Sequence, residues 1–136
     1  MKEKDIQSVF RKKNKIVGIF ELKLCKGTSI SFESVAEHQI KALLAGSSDV
    51  GVYHKISDSF IADKMRGKRF PLQKPFDCLF LKNVPAYVVI CWYIPRKKKA
   101  YHYIPVRAFI EKRDTADRKS LTEQMSASIA EEVLLA

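Results

Sequence analysis

The sequence lacks the glycine-rich loops with which many nucleotide-binding proteins hold phosphate. Only five glycines occur in 136 residues, and they form no Walker or dinucleotide-binding pattern. GxSxG, HExxH and CxxC motifs are also missing. Because His38, His54 and His102 have no companions at metal-ligand spacing, we expect ordinary surface or strand histidines rather than a zinc site.

Cysteine is scarcer still, and Cys25, Cys78 and Cys91 lie in apolar, strand-like runs. An odd number without a pairing motif predicts reduced thiols in an intracellular protein, and apolar surroundings disfavour a cysteine nucleophile. No apolar run is long enough to cross a bilayer, and the N-terminal stretch MKEKDIQSVFRKKNK is too polar for a signal peptide. We therefore expect a cytoplasmic protein.

Acidic residues are in the minority, with 15 Asp and Glu against 25 Lys and Arg and a net charge of +10. This excess predicts a polyanionic partner, and nucleic acid is favoured over a membrane because the cations do not share one face of an amphipathic helix. Solubility alone is the alternative. The candidate DNA-binding residues are Lys64, Arg66, Lys68 and Arg69 in a long connection, and Arg96, Lys97, Lys98 and Lys99 at a hairpin tip. A solvated loop and protection of a sheet edge are their respective alternatives.

The length and the apolar periodicity predict a single domain, residues 1–136, of the α/β class. Helices are expected over 3–13 and 32–45, the latter capped by Ser31 and stopped by Gly46, and a third is expected from the capping box at 120–123. Strands are expected over 16–25, 52–56, 74–81, 86–93 and 101–106, and 107–119 is expected to be irregular. This order predicts a mixed central sheet flanked by helices.

Two charged residues interrupt the apolar run IVGIFELKLC. Glu21 and Lys23 are two residues apart, so a strand presents both on one face while their apolar neighbours pack on the other. An unpaired charge buried in a sheet costs several kcal/mol by rough estimate, which indicates a functional reason for keeping both. A carboxylate beside an ammonium group can hold a divalent cation and a phosphate together.

The following helix offers Gln39 at the edge of its apolar stripe, from where its side chain is expected to reach back toward Glu21 and Lys23. The alternative is a solvated surface glutamine. Magnesium takes oxygen ligands, so two carboxylates from adjacent strands would position it on a scissile phosphate. Lys23 would then orient the attacking water or stabilise charge on the phosphorus.

The stretch FELKLCKGTSISFESVAEHQI resembles the ExK-and-helix core of the PD-(D/E)XK nuclease superfamily and, within it, RecU-type Holliday junction resolvases. Segments 87–93, 109–110 and 118–121 resemble that family's closing part, so the likeness covers somewhat more than half of the chain. It implies a restriction-endonuclease-like fold and cleavage of DNA phosphodiester bonds that depends on Mg²⁺, with Mn²⁺ as a substitute. A homodimer in a bacterial or phage-infected cell is also implied, because a junction presents two symmetric scissile phosphates.

The order of motifs departs from that family in one respect. Its metal-binding aspartate normally precedes the ExK strand, but only Glu3 and Asp5 precede Glu21 here. The stretch KPFD, ending at Asp77, resembles the displaced motif. We therefore expect a circularly rearranged order in which Asp77 joins Glu21 as a metal ligand, with Asp58 in reserve.

Two alternatives to a junction resolvase stay open. One is another nuclease of the same superfamily, of a nicking or restriction-like kind. The other is a nucleic-acid-binding protein without catalytic activity, in which Asp77 would be merely a strand-end cap.

Overall fold

The computed structural model describes the backbone of residues 1–55, 60–63, 68–71 and 78–136 and the side chains of 1–53 and 78–136. In chain order the helices are α1 (Glu3–Lys13), α2 (Glu37–Ser47), α3 (Val106–Thr115) and α4 (Glu123–Ile129). The strands are β1 (Ile19–Cys25), β2 (Ser29–Ser31), β3 (Val52–Lys55), β4 (Phe60–Asp63), β5 (Lys68–Pro71), β6 (Cys78–Leu81), β7 (Ala86–Trp92), β8 (Ala100–Pro105), β9 (Ser120–Thr122) and β10 (Glu132–Leu135). Among these described residues, no helix has the length and apolar character needed to span a membrane.

Four strands form the central sheet in the order β1, β7, β8, β10. β1 and β7 run parallel from the Ile19–Ala86 pair to the Cys25–Trp92 pair, whereas β8 is antiparallel to both of its neighbours. The sheet is therefore mixed, with helices on both faces, as the sequence predicts for an α/β protein.

Strand β7 is buried along its whole length. Because both of its faces are covered, its sequence is apolar without alternation. Val88 and Ile90 face a core cluster that includes residues of α2 and α3, whereas Val89 and Cys91 face the cluster that includes α1. α1 covers that second face because Ile6 and Phe10 are buried in it.

The second helix starts later than the sequence predicts. Ser31 does act as a cap, but for a 3₁₀ turn over Phe32–Ser34, and its side chain accepts a hydrogen bond from the Glu33 N–H. α2 itself begins at Glu37, and Gly46 lies inside it rather than ending it. The glycine is retained where the helix presses on the sheet, since an added Cβ would collide with the side chain of Ile19.

Three further two-stranded sheets pair β2 with β9, β3 with β6, and β4 with β5. β3, β6, β7 and β8 confirm the strands predicted around 52–56, 74–81, 86–93 and 101–106, and the long connection between β3 and β6 contains the β4–β5 hairpin. β6 and β7 do not pair with each other, because β7 lies between β1 and β8.

The C-terminal part differs most from expectation. Residues 107–119 are helical as far as Thr115, so their expected irregularity is wrong. Thr122 rather than Ser120 caps the last helix, and its hydroxyl accepts from the Met125 N–H. That helix ends at Ile129, and the chain then forms β10 against β8, where the sequence predicts helix.

Candidate functional site

Glu21 and Lys23 project from the same face of β1 and form an ion pair. Lys23 Nζ lies 3.2 Å from Glu21 Oε1, and the two side chains are 15% and 27% exposed, respectively. Phe20, Leu22 and Leu24 pack into the cluster on the opposite face, as the alternation predicts. The pair is thus partly desolvated but open to a ligand.

Gln39 reaches the pair from α2, as expected. Its Nε2 donates to Glu21 Oε1 over 3.0 Å, and its own Oε1 accepts from the Ala36 N–H over 2.9 Å. The second bond fixes which end of the amide faces the carboxylate. Since Ala36 precedes the helix and has no oxygen in its side chain, Gln39 also satisfies one of the N–H groups left unpaired at the start of α2.

The backbone that presents the pair is rigid. Glu21 lies opposite Val88 and Lys23 opposite Ile90, both fully buried, in the parallel ladder of β1 and β7. In the described part of the sheet β1 is an outer strand, and β7 is its one described neighbour.

The donor chemistry at Glu21 fits a magnesium ligand in part. Both bonds to the carboxylate use Oε1, and no described residue bonds Oε2, which leaves a hard oxygen of the kind that Mg²⁺ takes. Among the described residues there is no group of three or more His, Cys, Asp or Glu side chains that would hold a metal. Glu21 is therefore one candidate ligand, and any others come from elsewhere.

The two downstream acids predicted as ligands, Asp77 and Asp58, lie outside the described residues. Asp5 is among the described residues, and its position does not suit a metal ligand beside Glu21. It is exposed in the first turn of α1, where its Oδ2 accepts from the Lys2 N–H over 2.7 Å. α1 packs on the face of the sheet opposite to Glu21.

The predicted DNA-binding cations divide between described and undescribed parts of the chain. Arg96, Lys97 and Lys98 are exposed at the tip between β7 and β8, and Lys99 is half-buried there, paired through its backbone with Ala136. Arg96 has a φ of 66°, in the left-handed region that a tight turn requires. Of the other set, Lys68 and Arg69 belong to the β5 backbone, and Lys64 and Arg66 lie outside the described residues.

Cys25, Cys91 and His102 are buried in the fold. All three cysteines are free thiols, and burial raises the pKa of Cys25 and raises that of Cys91 to about 11, so neither supplies a thiolate at neutral pH. His102 is 4% exposed, and its Nδ1 lies 2.8 Å from the hydroxyl of the buried Ser126.

A cleft of about 570 Å³, which was not predicted from the sequence, lies between the start of α2 and the segment after α3. Arg113 of α3 lies on its rim and pairs with Glu37 of α2 over 3.4 Å. The apolar residues Val106, Phe109 and Ile110 stand at helical spacing, a signal that would have revealed α3.

No family model, no curated protein and no solved structure matches the chain. A function is therefore assigned from the residues around Glu21.

Proposed function

We propose that this protein is a metal-dependent, structure-selective DNA endonuclease of restriction-endonuclease-like fold, and that its substrate is a four-way DNA junction. The observation that carries the proposal is the contact of Gln39 on α2 with the Glu21–Lys23 ion pair on β1 of the mixed sheet. The crossover from β1 through α2 to the parallel strand β7 supports it, because this is the setting that the resemblance to PD-(D/E)XK nucleases implies.

Magnesium, when bound, supplies Lewis-acid stabilisation of a phosphate oxygen. Glu21 would hold it through Oε2, the carboxylate oxygen that no described residue uses. Lys23 holds its ammonium group beside that carboxylate, where it orients water or balances charge on the phosphate. Gln39 keeps the carboxylate in position, since its amide is itself fixed by the Ala36 N–H.

Asp77 is proposed as the second metal-binding acid, in a circularly rearranged order, with Asp58 in reserve. Asp77 directly precedes β6, and β6 contacts α2, the helix that carries Gln39. A homodimer that places two sites on the two symmetric scissile phosphates is part of the same proposal.

The test is to incubate the purified chain with a four-way junction, a linear duplex and a single strand, each with Mg²⁺, with Mn²⁺ or with chelator. We expect cleavage of the junction that requires the metal. Absence of cleavage on all three substrates would leave a nucleic-acid-binding protein, and equal cleavage of all three would leave a nuclease of another kind.

Single substitutions then assign the residues. Glu21→Gln, Lys23→Ala and Asp77→Asn should each abolish cleavage and leave junction binding intact. Asp5→Asn is the matched control, because Asp5 caps a helix on the other face of the sheet. Full activity of Asp77→Asn together with loss of activity in Asp5→Asn would overturn the rearranged order.

A further inference from the structure

A separate cavity of about 350 Å³ lies where the parallel strands β1 and β7 end. Lys26, Trp92, Tyr93, Pro95 and Glu123 are among the residues that line it. We call it the strand-end pocket. Its position follows the rule that ligands of open α/β sheets bind outside the carboxyl ends of parallel strands.

The walls of the strand-end pocket are held by the sheet. Cys25 and Trp92 form the last pair of the parallel ladder, and the Tyr93 N–H donates to the Cys25 carbonyl over 2.9 Å. The Cys25 thiol lies 3.6 Å and 3.5 Å from the carbonyl oxygens of Gly27 and Ser29, which ties down the loop that follows β1. These bonds hold the two strand ends and the loop after β1 against each other.

The chemistry of the lining suits a nucleobase with its phosphate. Tyr93 offers the aromatic surface on which a base stacks, and Trp92, 3% exposed, forms the wall behind it. Lys26 is an exposed cation, and the basic tip 96–99 follows the pocket directly in the chain, so both can meet a phosphate. The carboxylate of Glu123 can accept a hydrogen bond from a base amino group.

The pocket lies at the end of the strand that carries the candidate site. Val88 and Ile90, which pair with Glu21 and Lys23, point into the same core cluster as Trp92. Lys26 is three residues beyond Lys23, a separation of about 10 Å along an extended chain.

We propose that the strand-end pocket binds a nucleobase of the DNA strand whose backbone crosses Lys23. This placement rests on the proposed nuclease function, whereas the base-binding role rests on the pocket itself. Tyr93 provides the stacking surface, and Lys26 contacts the adjacent phosphate.

Trp92 is the only tryptophan of the chain, so its fluorescence reports directly on the pocket. The full chain, with chelator present to prevent cleavage, is titrated with a short single-stranded oligonucleotide and with the same backbone carrying abasic sites. Binding of both is followed by anisotropy of a label on the DNA. We expect the oligonucleotide to quench Trp92 and the abasic strand to bind about tenfold more weakly without quenching it.

Variants separate stacking from charge. Tyr93→Leu should abolish the quenching and weaken binding by about tenfold, whereas Tyr93→Phe, which keeps the ring, should retain both. Lys26→Ala should lower the salt dependence of binding by about one unit of slope, and Lys41→Ala on the exposed side of α2 should not. Far-UV circular dichroism checks that each variant is folded.

The base-binding role of the pocket and the proposed nuclease function can fail separately. Equally tight binding of the abasic strand, or undiminished binding by a folded Tyr93→Leu variant, would overturn the base-binding role even if junctions are cleaved. Quenching that depends on Tyr93 would support the pocket even if no substrate is cleaved, in which case the nuclease function alone would fall.

Discussion

Replacing Glu21 and Lys23 together by apolar residues tests whether the pair is kept for function or for stability. The variant Glu21→Leu/Lys23→Met removes both charges and retains side chains of similar length. Its apolar groups would extend the core surface formed by Val88 and Ile90, the partners of the two residues in β7. We expect a fold as stable as the wild type, or more stable, without cleavage activity.

The expected change in the free energy of unfolding follows from the attraction between the two charges and the cost of removing them from water. At the observed separation of 3.2 Å, the attraction is about 5 kcal/mol at an effective dielectric constant near 20. Removal of two charges from water costs several kcal/mol for each ion when they are buried, and these side chains are 15% and 27% exposed. The terms nearly cancel, so the double variant should gain about 1 kcal/mol, or roughly 3 °C in melting temperature.

The single variant Glu21→Leu should behave differently. It removes the described partner of the Lys23 ammonium group, on a side chain that is 15% exposed in the native fold, at a cost of about 2 kcal/mol. Urea unfolding followed by circular dichroism measures each free energy of unfolding, and an unchanged m-value shows that the comparison is sound. The exposed pair Glu37–Arg113, neutralised as Glu37→Gln/Arg113→Gln, is the control and should change stability by less than about 0.5 kcal/mol.

A loss of more than about 2 kcal/mol in the double variant, at constant m, would refute this reasoning. The pair would then stabilise the fold, and its retention in an apolar strand would need no functional explanation.

Three further predictions address other parts of the chain. Burial lowers the pKa of His102, so below about pH 6.5 the unfolded chain binds a proton that the native state does not. The free energy of unfolding should therefore decrease as the pH falls from about 6.5 to the lowered native pKa. His102→Gln should reduce this dependence, measured by urea unfolding at pH 7.5 and 5.5. Gly18→Ala should cost about 1–3 kcal/mol because its Cβ would lie 2.7 Å from the Pro85 carbonyl oxygen, whereas Gly27→Ala, with no atom within 4 Å, should be neutral in the same melts. Gln39→Leu should slow junction cleavage about tenfold or more at unchanged binding affinity, and an unchanged rate would remove Gln39 from the site.

Local patterns predicted the elements that carry the candidate site. Alternation with a period of two placed Glu21 and Lys23 side by side, and the structure confirms their contact. The same kind of pattern failed after residue 106, where α3 was expected to be irregular and β10 to be helical. β10 has four residues, and it is a strand because β8 offers a free edge, which is a tertiary cause that no local signal contains.

The contact between Gln39 and Glu21 is linked to the way in which helix α2 begins. Ala36 cannot cap α2 with its own side chain, so the helix start depends on a side-chain oxygen from the residue three positions on. A glutamine meets this need with one end of its amide and has a donor left over, whereas a glutamate would place a second negative charge against Glu21. The donor reaches Glu21 over 3.0 Å only because β1 and α2 pack together, so sequence predicted the direction of Gln39 and the fold determined its partner. The same reasoning makes Gln39→Glu a sharper test than truncation: the cap survives, the carboxylates repel, and cleavage should fall while helix α2 stays intact by circular dichroism.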